Sequence, residues 1–456
     1  MVTILSALLF SGSFEPLGFW LLAPIGFSLL FTRLKRSNKP ILTIFIFGLV
    51  SQGIILYWSG KYVGLLPWAL LTLLQASYLI PAGYVYKKTE NYWYLIASLL
   101  LADEIKSNFP FGGFGWTRIG YSQAVAPYLN LASLGGVAAL SLIVLVIAIG
   151  IIQLSIRKFI FILLICFLPL GTNQIQKSSQ SLRVAAVQGN TPKVGLDFNE
   201  RAEAVFNLHL EKSKTINRSV DLIVWPENAS DIDPYLTPGI SAQLMELSEV
   251  KRAPLIIGAV LRSDNKLKNA SIALDSMSTK SIYIKQHLTP FGEYIPLRRI
   301  AELVSPFAEG VKDFTPGEGY LVHKIGNIDI GPIICYEIID DAMVREAASK
   351  SHALVVQTNS ATFSGTAESA QQLNITRIRA VEHNRDILSV STIGISAFID
   401  NNGRVLQISK ENVSEILYGQ LRSIDSQTIA DKLNGQSWIA IVGALLIIGR
   451  LRRRTH

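Results

Sequence analysis

The chain has 456 residues, of which 49% are hydrophobic and only 17% charged, with a formal net charge of +8. A soluble protein carries about 25% charged residues, and here the deficit is concentrated in residues 1–175 and 435–450, which argues against a wholly soluble protein. The positive balance does not point to nucleic acid. Much of it sits in short clusters beside apolar runs: Arg33, Lys35, Arg36 and Lys39; Lys87 and Lys88; Arg157 and Lys158; and Arg450, Arg452, Arg453 and Arg454. Such clusters mark the cytoplasmic loops of membrane proteins.

Apolar segments of helical length run over 2–12, 17–32, 40–58, 64–86, 92–105, 128–154, 158–172 and 435–450. A full crossing takes about 20 residues, so 2–12 and 92–105 are short, and about eight spans are expected. The start does not read as a cleaved signal peptide, because it lacks an early basic region and further apolar runs follow it. If the amino terminus is cytoplasmic, the loops after the second, fourth and sixth spans and the carboxyl-terminal tail lie inside. These hold every basic cluster named above, whereas the short outside loops hold only Lys61, Lys106 and Arg118. The expected layout is therefore transmembrane helices over 1–175, an extracytoplasmic domain over 176–433, and a last span with a basic tail over 434–456, in a multi-pass cell-membrane protein.

The insert alternates strand and helix signals. Strand-like runs are Arg183–Val187, Leu222–Trp225, Leu255–Val260, Ile282–Lys285, Ile328–Cys335, Leu354–Gln357 and Ile387–Val390. Amphipathic helical stretches lie between several of them, at Asn199–Lys214, Ala342–Lys350 and Glu368–Asn384. Late strands at Ala397–Asp400 and Arg404–Ile408 flank the turn signal Asn401-Asn402-Gly403. The pattern indicates an α/β sandwich following an α-helical polytopic bundle.

Three stretches of the insert each put a reactive side chain at or just past an apolar strand: Asp221-Leu-Ile-Val-Trp-Pro-Glu227, Tyr283-Ile-Lys285 running on to Glu293, and Gly331-Pro-Ile-Ile-Cys335-Tyr336-Glu337. Catalytic groups are commonly carried on loops held by a rigid scaffold. Taken singly the residues are ordinary: Glu227 fits a surface turn, and Lys285 fits an edge lysine that discourages strand pairing. The two cysteines, Cys166 in an apolar run and Cys335 in the insert, are expected to be free thiols. An unpaired cysteine in an oxidising compartment calls for a reason; Cys166, with no charged neighbour, reads as a small hydrophobe.

Together the three stretches resemble the Glu–Lys–Cys triad of the nitrilase superfamily, and with the flanking spans the chain resembles the bacterial apolipoprotein N-acyltransferases. Val187-Gln-Gly-Asn190, Gln371-Gln-Leu with Arg377-Ile-Arg-Ala-Val-Glu382, and Gly394-Ile-Ser-Ala-Phe-Ile-Asp extend the likeness. Two stretches depart from it: Asn359–Phe363 lacks a common tryptophan, and Ser389-Val-Ser-Thr392 replaces a common Arg-Ala-Thr-Asn. The resemblance implies an αββα domain in which Cys335 is the nucleophile, Glu227 the general base and Lys285 the oxyanion partner together with a backbone N–H near Tyr336. Glu293 and Glu337 would support them. It further implies a phospholipid acyl donor, a diacylated apolipoprotein acceptor, a monomer and no cofactor. No metal is expected, because the histidines and cysteines lack ligand spacing.

Trp116 and Arg118, in the aromatic, glycine-rich loop 108–123, are candidates for a lipid entrance, with a paired arginine as the plainer reading of Arg118. Asp103 and Glu104 are ionisable groups at a span end and hence functional candidates. The loop Phe291–Glu318 is a candidate lid. Two alternatives stay open: a membrane-tethered amidase with water as acceptor, and a transporter or scaffold with an inactive insert. His287, His352 and His383 sit in no partner motif for a cysteine–histidine enzyme.

Overall fold

The computed structural model describes residues 1–153, 180–192, 198–230, 232–263, 266–299, 302, 312–433, 442–445 and 447–449. The chain forms two compact units, Met1–Gln174 with Thr428–His456, and Ile175–Gln427. Cys166, the expected span 158–172 and most of the expected span 435–450 lie outside the described residues, as does the middle of the loop Phe291–Glu318.

The first unit contains α1 (Val2–Ser11), α2 (Leu22–Lys35), α3 (Pro40–Ile55), α4 (Tyr57–Val63), α5 (Leu65–Ser77), α6 (Ile80–Thr89), α7 (Tyr92–Asn108) and α8 (Ala132–Gln153). Pro40 opens α3, where its fixed φ suits a first turn and its missing N–H is no loss. Asn91 caps α7, its side chain accepting from Trp93 N at 2.8 Å. Phe10, Phe27 and Phe47 bring α1, α2 and α3 together, with ring centroids 5.0–5.7 Å apart.

Among the described residues, two helical stretches are long and apolar enough to cross a membrane, Leu65–Thr89 and Leu129–Gln153; Val2–Ser11 and Pro40–Ile55 are shorter apolar helices. The eight crossings expected from hydropathy are therefore not established here. Helix α2 starts at Leu22 rather than residue 17, and the stretch expected over 64–86 consists of α5 and α6, the second carrying Pro81 in its first turn.

Asp103 and Lys106 are both buried and pair at 2.7 Å. Asp103 Oδ2 also accepts from Ile119 N at 3.0 Å and Ser141 Oγ at 3.1 Å, and Lys106 Nζ donates to the Thr117 carbonyl at 2.9 Å. The carboxylate flagged in the sequence thus ties α7 to α8 and to the loop between them.

The second unit holds β1 (Ser181–Gln188), α9 (Phe198–Lys214), β2 (Leu222–Val224), α10 (Ile240–Lys251), β3 (Leu255–Ser263), β4 (Lys266–Leu274), β5 (Thr279–Ile284), β6 (His323–Ile325), β7 (Ile328–Ile334), α11 (Asp341–Lys350), β8 (Ala353–Thr358), α12 (Glu368–His383), β9 (Ile387–Ser391), β10 (Ala397–Ile399), β11 (Val405–Ile408) and β12 (Glu415–Arg422). They form two six-stranded sheets, ordered β12-β1-β2-β3-β4-β5 and β11-β10-β9-β8-β7-β6. In each sheet three adjacent strands run parallel, β1-β2-β3 and β7-β8-β9, with antiparallel strands outside them.

Alternate residues explain the layering, since successive side chains of a strand face opposite sides. Val184, Ala186, Leu222 and Val224 pack against Ile330, Val355 and Leu388 between the sheets. Ala185, Val187, Ile223 and Trp225 face the other way, onto Phe206 and Leu210 of α9 and Leu244 of α10. Burial on both faces is why these strands read as unbroken apolar runs. Helices α11 and α12 pack on the second sheet, which completes the αββα arrangement expected for the insert.

Candidate active site

The three reactive residues follow three strand ends. Glu227 stands three residues past β2, Lys285 directly follows β5, and Cys335 directly follows β7. Glu227 sits in a turn whose next residue, Asn228, has φ +51°. That turn lies flat on β3 at Gly258: a Cβ there would come within 2.6 Å of Glu227 Cα, so any other residue would displace the carboxylate. Cys335 has φ +50°, a left-handed conformation that costs a non-glycine residue about 1–3 kcal/mol and is found mostly at functional sites. A sharp turn leads from the strand into a 3₁₀ helix (Cys335–Ile339), and Cys335 as a whole is half-buried there while its thiol points inward.

Lys285, only 1% exposed, lies between two carboxylates, with Nζ 2.7 Å from Glu293 Oε2 and 3.5 Å from Glu227 Oε1. Asn269 on β4 bridges the same pair, donating from Nδ2 at 2.7 Å to Glu227 Oε1 and at 2.7 Å to Glu293 Oε1. Thr289 adds its N–H to Glu293 Oε2 at 2.7 Å and accepts from Lys285 Nζ at 3.2 Å. The Cys335 thiol neighbours the Glu227 carboxylate closely enough to act on its ionisation. Glutamate, lysine and thiol thus form one contiguous cluster.

The electrostatics separate the two carboxylates. Burial raises the pKa of Glu227, and the charge of Lys285, its more distant neighbour, only partly offsets this. For Glu293 burial acts the same way, but Lys285 at 2.7 Å, with the hydrogen bonds from Thr289 and Asn269, outweighs it and holds that carboxyl below the usual range. Burial works against the charge on Lys285, yet Glu293, Glu227 and Cys335 together raise its pKa above that of an ordinary lysine. Burial, with the Glu227 charge beside it, pushes the Cys335 thiol well above its ordinary value. The resting cluster is a neutral thiol, a fixed ammonium, a fixed carboxylate at Glu293, and at Glu227 the one carboxylate suited to exchange a proton. Two titratable groups driven apart by their surroundings are the general sign of divided acid–base roles.

Glu337, fully buried, accepts from Tyr283 Oη at 2.8 Å, Gln286 N at 2.8 Å, His287 N at 3.2 Å and Ile334 N at 2.8 Å. It clamps the end of β5, and hence Lys285, to the turn that presents Cys335. Tyr336 is buried beside Cys335, edge-on to His287 at 5.2 Å. His287 pairs with Asp340 at 2.6 Å and His352 with Asp425 at 3.0 Å, and His383 lies 3.8 Å from Glu382.

Trp116 and Arg118 belong to the other unit. Both are buried, Trp116 against Trp58 at 5.1 Å, and Arg118 beside Glu104 at 3.8 Å, so the paired reading of this arginine describes its surroundings. Sequence reasoning passed over Asn269 and the surroundings of Glu368. An asparagine directly ahead of the largely apolar run Ala270–Leu274 was the available signal for the first.

Among the described residues no group of three or more His, Cys, Asp or Glu side chains is arranged to hold a metal ion.

Residues 6–150 match the model of the apolipoprotein N-acyltransferase N-terminal domain, and residues 183–431 match the carbon–nitrogen hydrolase model. An apolipoprotein N-acyltransferase of Mycolicibacterium smegmatis is 32% identical over 96% of this chain and 81% of its own length. One of Shewanella oneidensis is 26% identical over 97% and 93%. Among solved structures, an amidase from Nesterenkonia sp. aligns with 54% of this chain and 91% of its own, at 16% identity and a TM-score of 0.41. The chain belongs to the apolipoprotein N-acyltransferase family, with a carbon–nitrogen hydrolase domain forming its carboxyl-terminal half.

Proposed function

We propose that this protein moves an acyl chain from a phospholipid, through a thioester on Cys335, to the α-amine of the diacylglyceryl-modified first cysteine of apolipoproteins. The observation that carries this reading is the cluster around Lys285, in which Glu227 is placed to take the thiol proton while Glu293 keeps the ammonium charged. Glu227 removes the proton as the sulfur attacks the donor ester, then returns it to the departing lysophospholipid oxygen. Lys285 and a backbone N–H near Tyr336 stabilise the oxyanion, a contribution of about 3–4 kcal/mol for one such donor. The amine then attacks the thioester, giving a ping-pong cycle.

The water-acceptor reading is not favoured: the family match includes residues 6–150 as well as the hydrolase domain. The test is to supply purified protein with acyl-labelled phospholipid and a diacylglyceryl-cysteine peptide. Label is expected in an amide on the peptide; label appearing only as free fatty acid would favour the amidase.

We also place residues 1–175 in the plasma membrane and 176–433 on its extracytoplasmic face. Besides the basic clusters, α5 supports a lipid setting, because it is inside out: Thr72 and Gln75 are buried while Leu65, Leu66, Leu70 and Leu73 are exposed. An exposed apolar face of this kind suits lipid better than water. A tag beside Lys266 should be reachable from outside intact cells, and protection there would overturn the orientation.

A further inference from the structure

We infer that Glu368 accepts the second proton of the incoming amine, the one that Glu227 has no means of holding. This inference rests on the acyl-transfer reading above.

The need follows from counting protons. At neutral pH an α-amine, with an ordinary pKa of about 7.7–8.0, arrives mostly as ammonium. The ammonium has three N–H protons and the amide product has one. Glu227 ends the first half-reaction as a carboxylate, having passed the thiol proton to the lysophospholipid oxygen. In the second half-reaction the C–N bond forms, Glu227 takes one N–H proton and returns it to the sulfur as the C–S bond breaks. The other proton must leave earlier, because an ammonium has no lone pair with which to attack. Transfer to water releases no such surplus proton, so this need belongs to the amine acceptor alone.

Glu368 is placed to meet that need. It opens α12, and Gln372, one turn further on, donates from Nε2 to the Cys335 carbonyl at 3.4 Å. Residues four apart share a helix face, so Glu368 lies on the face turned to the nucleophile turn. It is 3% exposed, and its charge acts on the Cys335 thiol.

The Ser360 and Ser369 hydroxyls bond its carboxyl. The hydroxyls of Ser369, Ser360 and Ser391 pack closely together at Gly394, where a Cβ would collide with all three. The neighbouring Thr392 donates to the Glu227 carbonyl at 3.2 Å, so this polar nook adjoins the base. It is built from Ser360 and from Ser391–Thr392. The ionisable groups acting on Glu368 are Glu411, from the loop between β11 and β12, and Glu227, with Cys335 facing it from the nucleophile turn. Burial above all, with Glu411 and Glu227 adding to it and the two serines opposing it, brings Glu368 to about 7. A carboxyl raised in this way is suited to take a proton near neutral pH.

The test uses the full-length protein loaded on Cys335 from acyl-labelled phospholipid, then chased in a single turnover with a diacylglyceryl-cysteine peptide from pH 6.5 to 9.5. Glu368→Gln is expected to load at the wild-type rate and to release label to water normally. Its transfer to the amine should be about tenfold slower at pH 7, where only about a tenth of the amine is neutral, and should converge on wild type by pH 9.5. Glu368→Asp should keep the wild-type pH profile even if it is slower. Equal chase rates at pH 7, a deficit that persists at pH 9.5, a loading defect in Glu368→Gln, or a glutamine-like profile for Glu368→Asp would each overturn the inference. Failure of the wild type to load would instead remove the acyl-transfer reading beneath it.

Discussion

Glu227→Gln is expected to slow acyl-enzyme formation by about 10²–10⁴-fold, the usual range for a positioned general base, or about 3–5 kcal/mol of barrier. Glutamine keeps the carbonyl oxygen that accepts from Asn269 and leaves the Lys285–Glu293 pair in place, so the thermal melting temperature should hardly move. The pH profile gives a sharper reading. Burial raises the Glu227 pKa, so its active carboxylate form accumulates only above the ordinary glutamate range. Wild-type acylation should therefore climb with pH along a displaced acid limb, and in Glu227→Gln that limb should vanish. Glu293→Gln should act differently. It removes the closer counter-charge of Lys285 and leaves Glu227 as the ammonium's nearest carboxylate, which favours the ionised form of Glu227 and moves the acid limb to lower pH. Identical profiles for the two variants would mean that the division of roles between the carboxylates is wrong.

The division between these glutamates shows where sequence stops being informative. Both were legible as candidates, because each follows an apolar strand in a recognisable stretch. The proposed assignment of proton exchange to Glu227 rests on a difference of 3.5 Å against 2.7 Å from Lys285 and on Asn269 joining the two. No local pattern encodes those distances. The central strands were readable because burial on both faces makes them continuously apolar. By contrast β12 was missed: its outer residues are half exposed, Gly419 interrupts it, and only Leu417 and Leu421 among its apolar residues are buried. Helix α10 and strands β4 and β6 were likewise absent from the sequence reading. β4 carries Lys266, Lys268 and Asn269 ahead of its apolar half, which hides its period.

In the amino-terminal unit the structure gives single residues surroundings that their chemistry alone did not specify. Asp103 looked like a functional carboxylate at a span end, but it is held by Lys106, Ile119 and Ser141. Breaking such a buried pair strands a charge, which is why it serves as a brace. Trp116 and Arg118 looked like an entrance because the loop is aromatic and basic, and both are buried. Hydropathy located the helices but not their ends: Pro81 and the non-helical Gly135-Gly136 set breaks that an average over a window smooths away.

Cys335→Ala carries the largest effect of all, because without the sulfur no covalent intermediate forms and acyl transfer should fall to background. The most direct measurement is the mass of the peptide containing Cys335 after the full-length protein has been incubated with a phospholipid of known acyl chain and no acceptor. The proposed mechanism predicts the mass of that acyl group on Cys335, cleaved by neutral hydroxylamine as a thioester is, and discharged when the diacylglyceryl-cysteine peptide is added. An unmodified Cys335 in a protein that still acylates the peptide, or equal labelling of the Cys335→Ala variant, would contradict it.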